Sequence, residues 1–297
     1  MKPKLLSTLI DAGSANSVSH MRQAFMLAIA VSGFMFSLLV CAKPVGSAEI
    51  SARDVTVELY HSQPSKPANF ERFNLRDLDL SGVNFKHARL GGADMFGVDL
   101  TRADLSGVDL RAARLDRVTI LGAVFDGANL EGVSMLRPSV FSSLDNLPDE
   151  TASFVGANLK DATVFGRFNG SNFRNVNLSG ANLAPRDGSS FIEHIWRSEF
   201  QSSDLRGANL QGAKLDRVWF AFADMRGADL TGASLKHADL TGADLRGANL
   251  TGVDVTKADF SEAKIEGAIG IDTMIGKSSL RGLWRKHALK TPLTVTP

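Results

Sequence analysis

The sequence predicts an all-β solenoid, a tube of stacked coils rather than a globule. Three observations predict it. From Ala68 the chain repeats in steps of five: Ala68-Asn69-Phe70, Phe73-Asn74-Leu75, Leu78-Asp79-Leu80, Val83-Asn84-Phe85, and onward to Pro138-Ser139-Val140. Each position of the unit has its own chemistry: a small or apolar residue, then commonly Asp or Asn, then Leu or Phe, then two mostly polar positions. Finally, a period of five fits neither the 3.6 of a helix nor the 2 of a flat strand. It requires a backbone that turns with every unit, with the small residue and the Leu or Phe facing the axis and the others facing water.

Composition is consistent with such a fold. The 297 residues are 44% hydrophobic and 22% charged, outside the range of a compositionally disordered chain. Net charge is +1, which excludes a strongly basic nucleic-acid binder. A single Cys excludes a disulfide framework and a cysteine-rich metal site.

In chain order, residues 1–48 read as a signal peptide or membrane anchor. Gln23 to Ala42 carry no charge, and Arg22 precedes the run and Lys43 follows it. Met21 is an alternative start. Val40-Cys41-Ala42 and Gly46-Ser47-Ala48 are both cleavage frames, the second leaving Glu49 first. If uncleaved, residues 23–42 are long enough to span a bilayer and are the chain's one expected contact with it. Either way, the positive flank holds that end inside and exports the rest. Residues 49–67 read as an N-terminal cap, with Val55, Val57 and Leu59 alternating as in a strand.

Residues 68–270 hold the repeats, with interruptions at 142–151, 165–170 and 184–197. Residues 271–297 form a C-terminal cap and tail; 277–290 suit a short helix with Leu280, Leu283, Trp284 and His287 on one side. Caps are needed because an open coil exposes apolar core and unpaired backbone.

Units such as Ala103-Asp104-Leu105-Ser106-Gly107 and Ala243-Asp244-Leu245-Arg246-Gly247 closely resemble the pentapeptide-repeat family. The resemblance implies a right-handed, four-sided (quadrilateral) β-helix with four units per coil, and a C-terminal element that in some members makes a homodimer. The sequence offers its own check: side chains four units apart should stack. Phe200, Phe220 and Phe260 keep that spacing, broken by Leu240, and Phe85 and Phe125 flank Leu105. The expected rod has about nine coils, roughly 43 Å long at the spacing of neighbouring strands.

Catalytic chemistry is sparse. Gly276-Lys277-Ser278 lacks the upstream glycine of a phosphate loop, since position 271 is Ile. The six His make no close ligand pair, so no metal, cofactor or catalytic residue is expected. Glu193 and His194 are the one place for a loop acid/base site, and solvated loop residues are the plainer reading. Asp94, Asp99, Asp104 and Asp109 invite a cation, yet suit turns as well. Outward arginines are interleaved with acids, a solvated face rather than a nucleic-acid track.

Solenoids act through their surfaces. The 184–197 interruption holds Phe191, Ile192, Ile195 and Trp196, and a later unit, about one coil beyond Glu199, places Trp219 and Phe222 outward. Phe191, Ile192, Trp196, Trp219 and Phe222 are therefore the expected partner-binding patch, or else a satellite core of their own. Phe96 and Leu136, with Asp116 between, form a weaker second patch. The expected function is an exported, non-catalytic scaffold for a protein or cell-envelope partner in the periplasm, outside the cell or in a thylakoid lumen. Known members that mimic DNA toward gyrase suggest an alternative, but the net charge of the repeats is only mildly acidic.

Overall fold

The structure, a computed structural model, describes residues 48–140, 150–185 and 197–276. All of them lie in one compact unit, Gly46–Pro297. The signal or anchor segment and the C-terminal element at 277–290 fall outside the described residues.

The tube is built by backbone pairing between residues one coil apart. Asn69 bridges Arg89, Asn74 bridges Asp94, Asp79 bridges Asp99 and Asn84 bridges Asp104, all in parallel and all with the same four-unit offset. One bridge per unit and four units per coil make four faces, each a single pentapeptide wide. Numbered from the first coil, the faces carry Phe70, Leu75, Leu80 and Phe85 at their centres, each buried. The central N–H donates to the next coil, as Phe70 N does to Arg89 O at 2.8 Å, and Arg89 N returns a bond to Ala68 O at 2.9 Å. Among the described residues only Ser134–Leu136 (β1) and Thr163–Phe165 (β2) run long enough to count as strands, paired in parallel with Leu136 opposite Phe165.

Most corners sit at the last position of the unit, where φ is near +60°; in the unit ending at His87 the left-handed residue is Lys86, one position earlier. Glycine relaxes there without steric cost. The Asp or Asn before the central residue closes the turn from its side chain: Asp99 Oδ1 accepts from Thr101 N at 2.8 Å and from Thr101 Oγ1 at 2.6 Å. The same geometry recurs at Asp94, Asp104 and Asp109. These four carboxylates lie on four different faces, so they serve turns and do not converge on a cation.

Register records what happens at the interruptions. Val124 pairs with Ser153, and Asn172 pairs with Asp204. Both steps are longer than a regular coil, yet in both places the wall resumes on the same faces. Residues 165–170 behave differently from the expectation. Phe165 ends β2, Arg167 bridges Glu199, and Phe168 is fully buried, so the wall runs through them. Ser153 pairs with Asn172 across a slightly shortened coil, because one corner here lacks a residue. Gly166 allows it: a Cβ there would lie 2.7 Å from Pro138 Cδ.

Aromatic rings brace these irregular coils. On the fourth face Phe125, Phe154 and Phe173 stack nearly parallel, with centroids 4.9 and 4.7 Å apart. On the third face Phe168, Phe200 and Phe220 follow at 5.2 and 5.6 Å. The packing of Phe200 on Phe220 is the four-unit spacing read in the sequence.

The N-terminal cap corrects the sequence reading. Ala52–His61 is a helix, α1, not a strand. Ser51 and Asp54 form a capping box, with Asp54 N donating to Ser51 Oγ at 3.2 Å. Val55 and Leu59, one helical turn apart, are buried against the first coils, while Val57 between them is 49% exposed. Alternation at 55, 57 and 59 was thus half of a helical stripe. Lys86 Nζ donates to Leu59 O at 2.8 Å and closes the helix C-terminus. At the other end a 3-10 turn, Ile271–Thr273, brings Met274 under the last coil, where it is buried.

Phe154 lies between two stacked rings, so Phe154→Ala should destabilise the protein by about 3–5 kcal/mol and Phe154→Leu by clearly less. Urea unfolding followed by circular dichroism measures both.

Candidate partner-binding surface

The third face presents the expected patch in part. Trp219 occupies the position before the buried Phe220, bridged by Glu199 below and Asp239 above. Its N–H donates to Ser198 O at 3.0 Å, and its carbonyl accepts from Phe200 N at 2.7 Å. That pairing fixes the indole outward. Arg197, just ahead of Glu199 in the coil below, lays its guanidinium over the indole, with Cζ 3.2 Å from the ring centroid. Burial beside the ring lowers the Arg197 pKa, and Glu199 and Asp239 oppose this. The guanidinium nevertheless stays charged. One indole face is therefore covered by a cation, and the pair presents an aromatic edge beside a positive charge.

Phe222 stands at the corner of the same pentapeptide. Its φ is +60°, and it is 67% exposed. Other left-handed corners hold glycine or, Ala112 apart, polar residues such as Ser202, Arg217 and Lys257; Phe222 is the one phenylalanine among the described positions. A bulky side chain there costs roughly 1–2 kcal/mol against glycine. Its ring lies over the corner of the next coil, where a Cβ on Gly242 would come within 2.6 Å of Phe222 Cδ1. A glycine in one coil thus seats an exposed ring from the coil before it.

Trp219 and Phe222 are brought to one face. Phe191, Ile192 and Trp196, and the Glu193 and His194 of the loop-enzyme alternative, lie outside the described residues. Among the described residues no group of His, Cys, Asp and Glu is placed to hold a metal ion. Arg197 escaped the sequence reading, although its coil spacing from Trp219 could have found it. The second patch also differs from expectation. Phe96 is covered by arginines rather than open, and Asp116 is buried, while the apolar neighbour of Leu136 is Phe165.

The arginines of the fourth face form a regular device. Arg206, Arg226 and Arg246 each clasp the aspartate two positions before them with two hydrogen bonds. Arg206 and Arg226 also reach the aspartate of the next coil at 3.7 and 3.9 Å. The clasp holds the Asp204 and Asp244 carboxyls below the usual carboxylate range. Acidic and basic columns cancel along this face.

With this geometry the family follows from the repeat. The pentapeptide-repeat model matches residues 68–102, 93–132, 152–184, 197–232 and 228–267, more than half of the chain. The chain belongs to the pentapeptide-repeat family. Membership makes its tube the family's right-handed β-helix. Similar solved structures include HetL, a pentapeptide repeat protein involved in heterocyst differentiation regulation from the cyanobacterium Nostoc sp. strain PCC 7120. It is 25% identical over 71% of this chain and 90% of its own, with a TM-score of 0.33. A trypsin-treated form of QnrB1, a plasmid-mediated fluoroquinolone resistance protein, is 16% identical over 73% of this chain and 99% of its own, with a TM-score of 0.45. A pentapeptide repeat protein from the Arabidopsis thaliana thylakoid lumen is 23% identical over 43% of this chain and 69% of its own, with a TM-score of 0.20. No curated protein matches the chain.

Within this pentapeptide-repeat tube, Phe222 should be dispensable for folding. Phe222→Gly relieves the corner and is expected to leave stability unchanged or raise it by about 1 kcal/mol. Thermal unfolding of the two proteins side by side provides the check.

Proposed function

We propose that this protein is an exported, non-catalytic pentapeptide-repeat scaffold. It binds a protein or cell-envelope partner through the third face, at Trp219 and Phe222 and the adjoining 184–197 segment. The observation that carries this reading is Phe222. A large aromatic kept at a left-handed corner, two-thirds exposed, costs stability that the tube does not need. Exposed aromatics beside an arginine are the side chains that anchor protein interfaces.

Members of the family are generally non-catalytic binding or structural proteins. A DNA-mimicking role needs a row of unpaired carboxylates. The clasped Asp–Arg pairs of the fourth face do not supply one. Export is supported by the uncharged run at 23–42 with its positive flank. No helix among the described residues is long and apolar enough to cross a membrane.

Crosslinking in intact cells tests the surface. A partner crosslinked to the native protein and lost with Phe222→Gly or Trp219→Ala supports the proposal; equal yield from all three removes it. N-terminal sequencing of the cellular protein tests export. A mature start at Glu49 or Lys43 in an extracytoplasmic fraction is expected, and a cytoplasmic protein beginning at Met1 or Met21 contradicts it.

A further inference from the structure

Phe96 sits in a setting unlike that of Trp219. It points outward from the second face, and three arginines surround it. Arg76 stands one coil below in the same column. Arg114 and Arg117 stand one coil above, on either side of Asp116. Their guanidinium carbons lie 4.6, 4.6 and 5.6 Å from the ring centroid. Three like charges around one ring repel, so the carboxylates nearby decide what the cluster can do.

Arg114 takes the larger share of both. Its Nε bonds Asp116 at 2.8 Å, and its Nη1 lies 3.7 Å from Asp94. Asp116 is only 8% exposed, and its other oxygen accepts from Ser134 Oγ at 2.7 Å and Leu136 N at 3.1 Å. Asp94 spends one oxygen on Phe96 N and reaches Arg76 Nε only at 3.9 Å, too far for a hydrogen bond. Arg76 Nε is buried with no hydrogen-bond partner. Arg117, exposed at a corner with φ of +58°, makes no ion pair among the described residues. Asp77, the remaining acid of this corner, packs its carboxylate against Gly97.

Arg76 and Arg117 are thus held to one ring from two coils, and neither has a hydrogen-bonded carboxylate partner of its own. The ring occupies guanidinium faces and leaves N–H groups for an anion: the Nη groups of Arg76, whose Nε is buried, and the edge of the exposed Arg117. A guanidinium fork matches phosphate oxygens in pairs. Two forks arriving from different coils suit a tetrahedral dianion, whereas one fork would satisfy a planar carboxylate.

We propose that Arg76 and Arg117, held against Phe96, form a binding site for a phosphate group on the second face. The site is separate from the Trp219 surface, on another face and several coils nearer the N-terminus.

The test uses the full chain, isotopically labelled so that arginine Nε–H signals are read by NMR. Pyrophosphate is the probe, acetate the carboxylate control, and phosphatidylcholine vesicles containing phosphatidic acid the membrane arm. Saturable shifts at Arg76 and Arg117 with pyrophosphate, and weaker ones with acetate, are expected. Arg117→Gly, which suits the left-handed corner and keeps the tube intact, should weaken binding at least about tenfold, the loss of one charge-assisted pair. Arg76→Gln should do the same. Shifts no larger than at the clasped Arg226 mean an adventitious ion only and overturn the site. Unchanged affinity in Arg117→Gly, an equal response to acetate, or a response to vesicles without one to pyrophosphate overturns it too.

Discussion

Parallel hydrogen bonds between residues one coil apart are what the rest of this molecule depends on. Below the last coil, a unit lends its central N–H to the coil above and takes a bond from it, as Phe70 and Arg89 do. No pentapeptide can satisfy its own backbone or bury its own Leu, so each exists only as part of the stack. The inward column then follows, since pairing in register sets one Leu or Phe above another. The corner follows as well, because closing a coil in four steps calls for a left-handed residue at each full corner, the shortened one after Phe165 excepted.

That constraint divides the outside into columns with separate duties. The residue before the buried centre closes its turn, which is why Asp and Asn prevail there and why the aspartates are turn acceptors rather than ligands. Trp219 breaks that column, and its ring needs Arg197 from the coil below for company. Corner residues carry strain unless they are glycine, so a side chain kept there is visible as a cost. Phe222 and Arg117 both stand at such corners and both face solvent. On the fourth face the same stacking produces the opposite outcome: Arg206, Arg226 and Arg246 are neutralised within their own units.

Much of this was legible in the sequence, because a period of five leaves few backbones to choose from. The four-unit register, the buried column and the outward setting of Trp219 and Phe222 all follow from counting. What counting missed has physical causes. Val55, Val57 and Leu59 fit two periods, and the deciding signal was the Ser51–Asp54 cap rather than the alternation. The segment 165–170 looked like a break because a shortened corner shifts the phase, yet Phe168 stays inside. The arginines around Phe96 come from positions 76, 114 and 117, neighbours only once coils are stacked. Of the expected patch, Phe191, Ile192 and Trp196 lie outside the described residues.

Engineered disulfides test the stacking most directly. Outward residues paired across coils should lie about 4.8 Å apart, inside the range a disulfide can bridge. With Cys41→Ser as background, Ser234→Cys with Asp254→Cys should close on mild oxidation. So should Asn172→Cys with Asp204→Cys, a pair that spans an interruption. Ser234→Cys with Asp259→Cys should stay open, since it joins different faces. Equal closure of that last pair, or failure of the Asn172–Asp204 pair, would contradict a tube whose coils resume in register across its interruptions.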